Sequence, residues 1–147
     1  MISRSVLAGL RVYLDSNVFI YALEAMPRYG PLCLAILDGL EKREFRAVTS
    51  ELTIAESLAR PLQDNRLDLA KTYDDLLQDG ESLAVVPVSR SVLIESARLR
   101  AMVRNTLPDS IHLATAIEAK SDYFITGDKS LKPSSALRLI ILDEFLA

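Results

Sequence analysis

Apolar residues along this chain fall into two kinds of pattern, short continuous blocks and longer stretches in which they recur every third or fourth position. Val12-Tyr13-Leu14 is such a block, ends at Asp15, and reads as a buried strand. Ser16 to Leu23 reads as a helix, with Asp15 or Ser16 as a possible N-cap. Pro31 can open a second helix, on which Leu32, Ile36, Leu37 and Leu40 form an apolar stripe. Arg46 to Thr49 is a second strand. Glu51 to Ala59 is a helix expected to stop before Pro61, because the residue preceding a proline disfavours helical geometry. Leu67, Ala70, Tyr73 and Leu77 mark a further helix, closed by Gly80. Leu83 to Val88 is a third strand, and Pro87 within it argues for a sheet edge. Helices are expected over Ser89 to Arg104 and Pro108 to Lys120, the latter with Pro108 in its first turn. Tyr123 to Ile125 and Leu137 to Leu142 supply the last two strands.

Strands alternating with helices imply a parallel sheet with helices on both faces, an α/β fold. No repeat, low-complexity tract or linker divides the chain, and 147 residues fit one domain, 1–147. With 50% hydrophobic residues the chain can build a full core without disulfides or a structural metal. Cys33, the single cysteine, has no internal partner, and His112, the single histidine, excludes a His-rich zinc site within one chain. No segment approaches the roughly 18 uncharged apolar residues of a membrane span. The run from Val6 to Leu10 is short for a signal-peptide core. The expectation is a soluble, cytoplasmic protein with no membrane association.

In open α/β sheets, sites lie beyond the carboxyl ends of the strands. Asp15 follows the first strand directly, and Thr126-Gly127-Asp128 follows the fourth. Glu56 lies in the helix after the second strand, and Asp109 in the first turn of the helix opened by Pro108. If the sheet is wound as proposed, all four acids can converge at one rim. Clustered carboxylates are what hard divalent cations require, and such cations serve phosphodiester cleavage by activating water and stabilising the leaving oxygen. The pattern alone is not specific. Asp15 can be a helix cap, Asp128 a turn residue, Asp109 a favourable charge at a helix start, and Glu56 an exposed helix position.

The motifs around these acids sharpen the picture. Val12-Tyr13-Leu14-Asp15-Ser16-Asn17-Val18, Thr49-Ser50 followed by Glu56, Leu107-Pro108-Asp109-Ser110-Ile111-His112-Leu113-Ala114-Thr115-Ala116 and Phe124-Ile125-Thr126-Gly127-Asp128-Lys129-Ser130-Leu131 occur in that order. Together they resemble the PIN-domain family, especially the VapC-type toxins of toxin–antitoxin pairs. The third and fourth motifs are the most specific. The second rests on one glutamate, for which Glu51 is the competing candidate. The resemblance implies a Rossmann-like, three-layer α/β/α domain with a mainly parallel sheet of about five strands, and a Mg²⁺- or Mn²⁺-dependent endoribonuclease in which Asp15, Glu56, Asp109 and Asp128 hold or organise the metal. It further implies that Asn17 and Thr126 orient those acids through hydrogen bonds. Many relatives have Asn where Gly127 stands; a glycine there could ease a tight turn.

The net charge of −3 looks wrong for a nucleic-acid binder, but setting four of the 20 acids aside leaves 16 against 17 bases. Lys129 and Lys132 follow Asp128 and are placed to meet an RNA phosphate. Arg98, Arg100 and Arg104 could touch phosphates or favour the negative end of their helix, two readings of equal standing. His112 is read as packing or hydrogen-bonding near the site rim rather than as a general base. Two other functions compete. An Asp-nucleophile phosphatase would carry a second Asp two residues after Asp15, where Asn17 stands. A non-catalytic RNA- or protein-binding module would be expected to have lost one of the acids. A cognate antitoxin and a homodimer are expected as partners, the dimer from apolar residues on several faces of the helices between Pro31 and Gly80.

Overall fold

A computed structural model describes residues 1–146. The elements run β1 (Arg11–Leu14), α1 (Ser16–Leu23), α2 (Gly30–Glu41), β2 (Arg46–Ser50), α3 (Leu52–Gln63), α4 (Leu67–Leu76), β3 (Leu83–Val86), α5 (Arg90–Met102), α6 (Leu107–Glu118), β4 (Tyr123–Thr126) and β5 (Arg138–Ile141). Two short 3-10 turns, Arg4–Leu7 and Leu142–Phe145, bracket them. The strands form one five-stranded sheet in the order β3-β2-β1-β4-β5, and every pairing is parallel.

Alternation along the strands divides the core between the two faces. Val12, Leu14, Ala47, Leu83, Val85, Ile125 and Ile140 point to a layer with Val18, Phe19 and Ala22 of α1, Leu32, Cys33, Ile36 and Leu40 of α2, and Tyr73 of α4. Tyr13, Val48 and Phe124 point the other way, to Val92 and Leu99 of α5 and Ile111, Leu113, Ala114 and Ala116 of α6. These are the three layers expected from the pattern. Residues Val12, Leu14, Phe19, Phe124 and Ile125 have no exposed surface, as parallel strands covered on both sides require.

The strand order fixes where a site can form. From β1 the chain builds outward through β2 to β3, then crosses back and adds β4 and β5 on the other side of β1. The crevice between the carboxyl ends of β1 and β4 is therefore the topological switch point, where ligands bind in folds of this type.

Three expectations change at the element ends. The helix expected to stop before Pro61 continues to Gln63, with Pro61 inside it. Pro61 lies in the last turn, where a missing N–H forfeits one bond, and its ring is buried. Its own carbonyl still accepts from the Arg66 N–H at 2.7 Å. Next, α5 ends at Met102 rather than Arg104, because Val103 turns to extended geometry and Thr106 must start α6. Third, β3 ends at Val86, one residue before Pro87, which cannot donate to a ladder. As expected, β3 is an edge strand.

Candidate metal centre

Asp15 ends β1 and also caps α1, its Oδ1 accepting from the Ser16 N–H at 2.8 Å. Its Oδ2 faces β4. There the Thr126 hydroxyl donates to it at 2.7 Å and the Asn17 amide approaches at 3.4 Å. The same Thr126 oxygen accepts from the Asn17 amide at 3.1 Å and from the Asp128 N–H at 3.0 Å. Asn17 closes the bracket by accepting from the Gly127 N–H at 3.0 Å. The ends of β1 and β4 are thus tied together around one carboxylate that is only 5% exposed. The capping role and a metal-holding role for Asp15 are compatible, since each uses different lone pairs.

Asp109 lies in the first turn of α6, and its N–H donates to the capping hydroxyl of Thr106 at 3.2 Å. Asp128 follows β4, and its Oδ1 accepts from the N–H and hydroxyl of Ser130, at 2.9 and 2.6 Å. Glu56, on α3, reaches the site through a histidine. His112 Nε2 lies 2.5 Å from Glu56 Oε1 and 3.8 Å from Asp15 Oδ1. His112 Nδ1 lies 2.6 Å from the Tyr13 hydroxyl. Glu51 is the residue preceding α3, exposed and without a side-chain capping bond. Of the two glutamates, Glu56 is the one joined to the Asp15 neighbourhood.

His112 does not sit at the rim as the sequence suggested. Its side chain is 1% exposed, beneath Asp15 and Glu56. Tyr13 is equally buried, stacked on Phe124 at 4.9 Å and edge-on to His112 at 5.8 Å. Sequence reasoning treated Tyr13 only as a strand residue. The available signal was spacing. Tyr13 on β1 and Asp15 directly after it are two apart, the spacing of residues on one face of a strand, while Asp109 and His112 are three apart on α6 and share its side.

The charges feel one another. Burial holds the Asp15 carboxyl above the usual carboxylate range; His112 and the Thr126 and Ser16 hydrogen bonds oppose this, and Glu56 adds to it. Asp109 is also raised, first by burial and then by the charges of Asp15 and Asp128, against the Thr106 bond and His112. Burial alone would lower His112, but its hydrogen bond to Glu56 and the charges of Asp15, Glu56 and Asp109 raise it above the ordinary value. Burial and neighbouring negative charge disfavour the ionised forms of Asp15 and Asp109, and a divalent cation bound among these oxygens would relieve that. Among the described residues, no three carboxylate, imidazole or thiol groups stand close enough to cage an ion.

The basic residues have mixed placements. Lys129 pairs with Asp143 at 2.6 Å, which also receives Arg28 at 3.3 Å. Lys132 is exposed, and its backbone N–H donates to Asn105. Arg98 pairs with Glu95 within α5. Arg100, in the last turn of α5, reaches the Asn105 carbonyl at 3.4 Å. With Arg104, Asn105 and Thr106 it lines an open concavity beside the start of α6. Gly127 has a packing reason: a Cβ there would meet the Tyr21 ring at 2.7 Å and Leu142 at 3.3 Å.

Comparisons with known proteins agree with this fold. The structure is similar to VapBC2 from Rickettsia felis bound to a promoter DNA fragment, with a TM-score of 0.70 and 17% identity over 90% of this chain and 98% of that one. It is similar to a toxin–antitoxin complex from Klebsiella pneumoniae, at 0.65 and 20% identity over 89% and 97%. It is also similar to Mycobacterium tuberculosis VapC20, described as a toxin cleaving the sarcin-ricin loop, at 0.64 and 9% identity over 77% and 86%. No curated protein sequence matches. A family model described as the PIN domain matches residues 12–133, which contain all four acids and every strand but β5 except the first residue of β1, and the chain belongs to the PIN domain family.

Proposed function

We propose that this protein is a Mg²⁺- or Mn²⁺-dependent endoribonuclease and the toxin of a toxin–antitoxin pair. The observation that carries this reading is the bracketed Asp15 at the switch point, within the field of Glu56, Asp109 and Asp128. In this reading Asp15, Glu56, Asp109 and Asp128 hold the ion, and Thr126 and Asn17 keep Asp15 aimed at it. Bound there, the ion supplies Lewis acidity toward the phosphodiester and makes its water more acidic. The residues do the rest. Burial of Asp15 keeps bulk water from screening its charge. Thr126 ties Asp128 to Asp15 through a shared oxygen. Lys132, Arg100 and Arg104 offer exposed positive charge to an RNA backbone beside the acids.

RNA as substrate and an antitoxin as partner are supported by the resemblance of the motifs and by the named relatives, several of which are toxin–antitoxin complexes. A homodimer is supported by Leu34, Leu62 and Leu67, which are 50%, 55% and 59% exposed on α2, α3 and α4. No helix among the described residues is long and apolar enough to cross a membrane.

The test is cleavage of a labelled RNA by the purified chain. Activity is expected with Mg²⁺ or Mn²⁺, with loss in EDTA and loss of at least about 10-fold in Asp15→Asn. Undiminished cleavage in EDTA would refute the reading. Light scattering at micromolar concentration tests the dimer, against a 16.3 kDa monomer.

A further inference from the structure

We propose that Tyr13 and His112 are positioning residues for the Glu56 carboxylate, a buried relay that fixes which Glu56 oxygen faces the metal site. This rests on the reading of Glu56 as a metal-holding acid.

The geometry is that of a built device. Glu56 extends from α3, a different element from those that carry Asp15, Asp109 and Asp128. Its side chain is 32% exposed. Among the described residues one hydrogen bond holds it, between His112 Nε2 and its Oε1 at 2.5 Å. A carboxylate can only accept, so Nε2 carries the hydrogen. His112 is in turn fixed on its far side, where Nδ1 meets the Tyr13 hydroxyl at 2.6 Å. In the neutral ring Nδ1 is the acceptor and the Tyr13 O–H the donor. That bond selects the tautomer with its hydrogen on Nε2, aimed at Glu56. Tyr13 cannot shift, being 0% exposed and stacked on Phe124 in the middle of the sheet.

The relay therefore runs from the rigid sheet through a buried imidazole to an acid on a peripheral helix. It leaves Glu56 Oε2 without a hydrogen-bond partner among the described residues, and Nε2 stands 3.8 Å from Asp15 Oδ1, so the imidazole spans two of the acids. Burial obliges both ring nitrogens to find partners, and what marks this imidazole is that its Nε2 partner is an acid of the site, with a second acid, Asp15, 3.8 Å away. Partners of this kind behind a metal-holding group change metal affinity by about 10- to 100-fold when removed.

Metal affinity and the state of the single imidazole test the proposal without recourse to turnover. Mn²⁺ binding is measured by calorimetry on the full chain and on Glu56→Gln, His112→Leu, His112→Gln and Tyr13→Phe. Glu56→Gln and His112→Leu are expected to weaken binding by about 10-fold or more. His112→Gln, which keeps an amide donor toward Glu56, should recover most of the loss. Tyr13→Phe should act in the same direction by a smaller factor, and His112→Leu should add nothing to Glu56→Gln. Because His112 is the only histidine, nitrogen-detected NMR of the unsubstituted protein reads its tautomer directly. At a pH where the ring is neutral, the hydrogen should reside on Nε2, and that resonance should move when Mg²⁺ is added, but not in Glu56→Gln. Wild-type Mn²⁺ affinity in folded His112→Leu beside a weakened Glu56→Gln would overturn the positioning role and leave the metal site standing. Wild-type affinity in Glu56→Gln would overturn both. A hydrogen on Nδ1, with Nε2 as acceptor, would overturn the relay even if His112→Leu fails to fold.

Discussion

Replacing Thr126 by valine keeps the shape of the side chain and removes one oxygen. That oxygen donates to buried Asp15 at 2.7 Å and accepts from the Asn17 amide and the Asp128 N–H at 3.1 and 3.0 Å. A hydrogen bond to a charged group contributes about 1.5–3 kcal/mol, and here the acceptor has almost no water to replace it. The other two bonds involve partly exposed residues that can turn to solvent, so they add about 1 kcal/mol together. No cavity forms, because Val fills the volume. The expected loss is therefore about 2.5–4 kcal/mol in the metal-free protein, or roughly 5–16 °C in Tm for a chain of this size. The effect also has a signature in pH. The Thr126 bond favours ionised Asp15, so its loss matters only while Asp15 is charged. The gap between wild type and Thr126→Val should be widest near neutrality. It should narrow, to the roughly 1 kcal/mol of the other two bonds, as pH falls through the folded-state value of Asp15, which lies above the ordinary carboxylate range. Urea unfolding in EDTA at several pH values measures this, and Asp15→Asn/Thr126→Val completes a double-mutant cycle. A Thr126→Val protein within about 0.5 kcal/mol of wild type, or one whose deficit does not shrink in acid, would refute the reasoning.

Asp109 has a raised folded-state value, from burial and then from Asp15 and Asp128, so its ionisation opposes folding. That penalty is absent in acid and grows as pH rises through the unfolded value. Asp109→Asn should therefore raise metal-free stability near neutrality and leave it unchanged in acid, as thermal melts in EDTA will show. Asp143 has the opposite sign: the Lys129 and Tyr29 bonds hold it down to about 2. Its favourable contribution is present above the usual carboxylate value and lost as pH falls toward about 2, and Asp143→Asn should remove that acid-limb dependence. Gly127→Ala should cost about 1–3 kcal/mol, since its Cβ would lie 2.7 Å from the Tyr21 ring; an unchanged unfolding midpoint would show that Tyr21 moves aside freely. Saturating Mg²⁺, at about 100 times its Kd, should stabilise the wild type by about 2.7 kcal/mol and Asp15→Asn by much less.

Much of the fold was written in local pattern. A short apolar block such as Val12 to Leu14 has few options but a buried strand, and a stripe such as Leu32, Ile36 and Leu40 few but a helix against a core. Helix and strand ends were less legible, because they depend on what the neighbouring chain can replace. Pro61 stays in α3 since its ring is buried and the lost bond is a single one near a terminus. Arg104 leaves α5 since Thr106 has to cap α6.

The sequence by itself determined the layered parallel sheet and where each acid falls relative to a strand end or a helix start, because both follow from periodicities of a few residues. Only the tertiary structure decided which acids share a field. The switch between β1 and β4 is a property of strand order, and it brings Thr126 to Asp15 across a separation of 111 residues. The link from Tyr13 through His112 to Glu56 joins β1, α6 and α3. No periodicity encodes such a link, because hydrogen bonds between distant elements depend on packing distances of a few tenths of an ångström, which the whole core sets together.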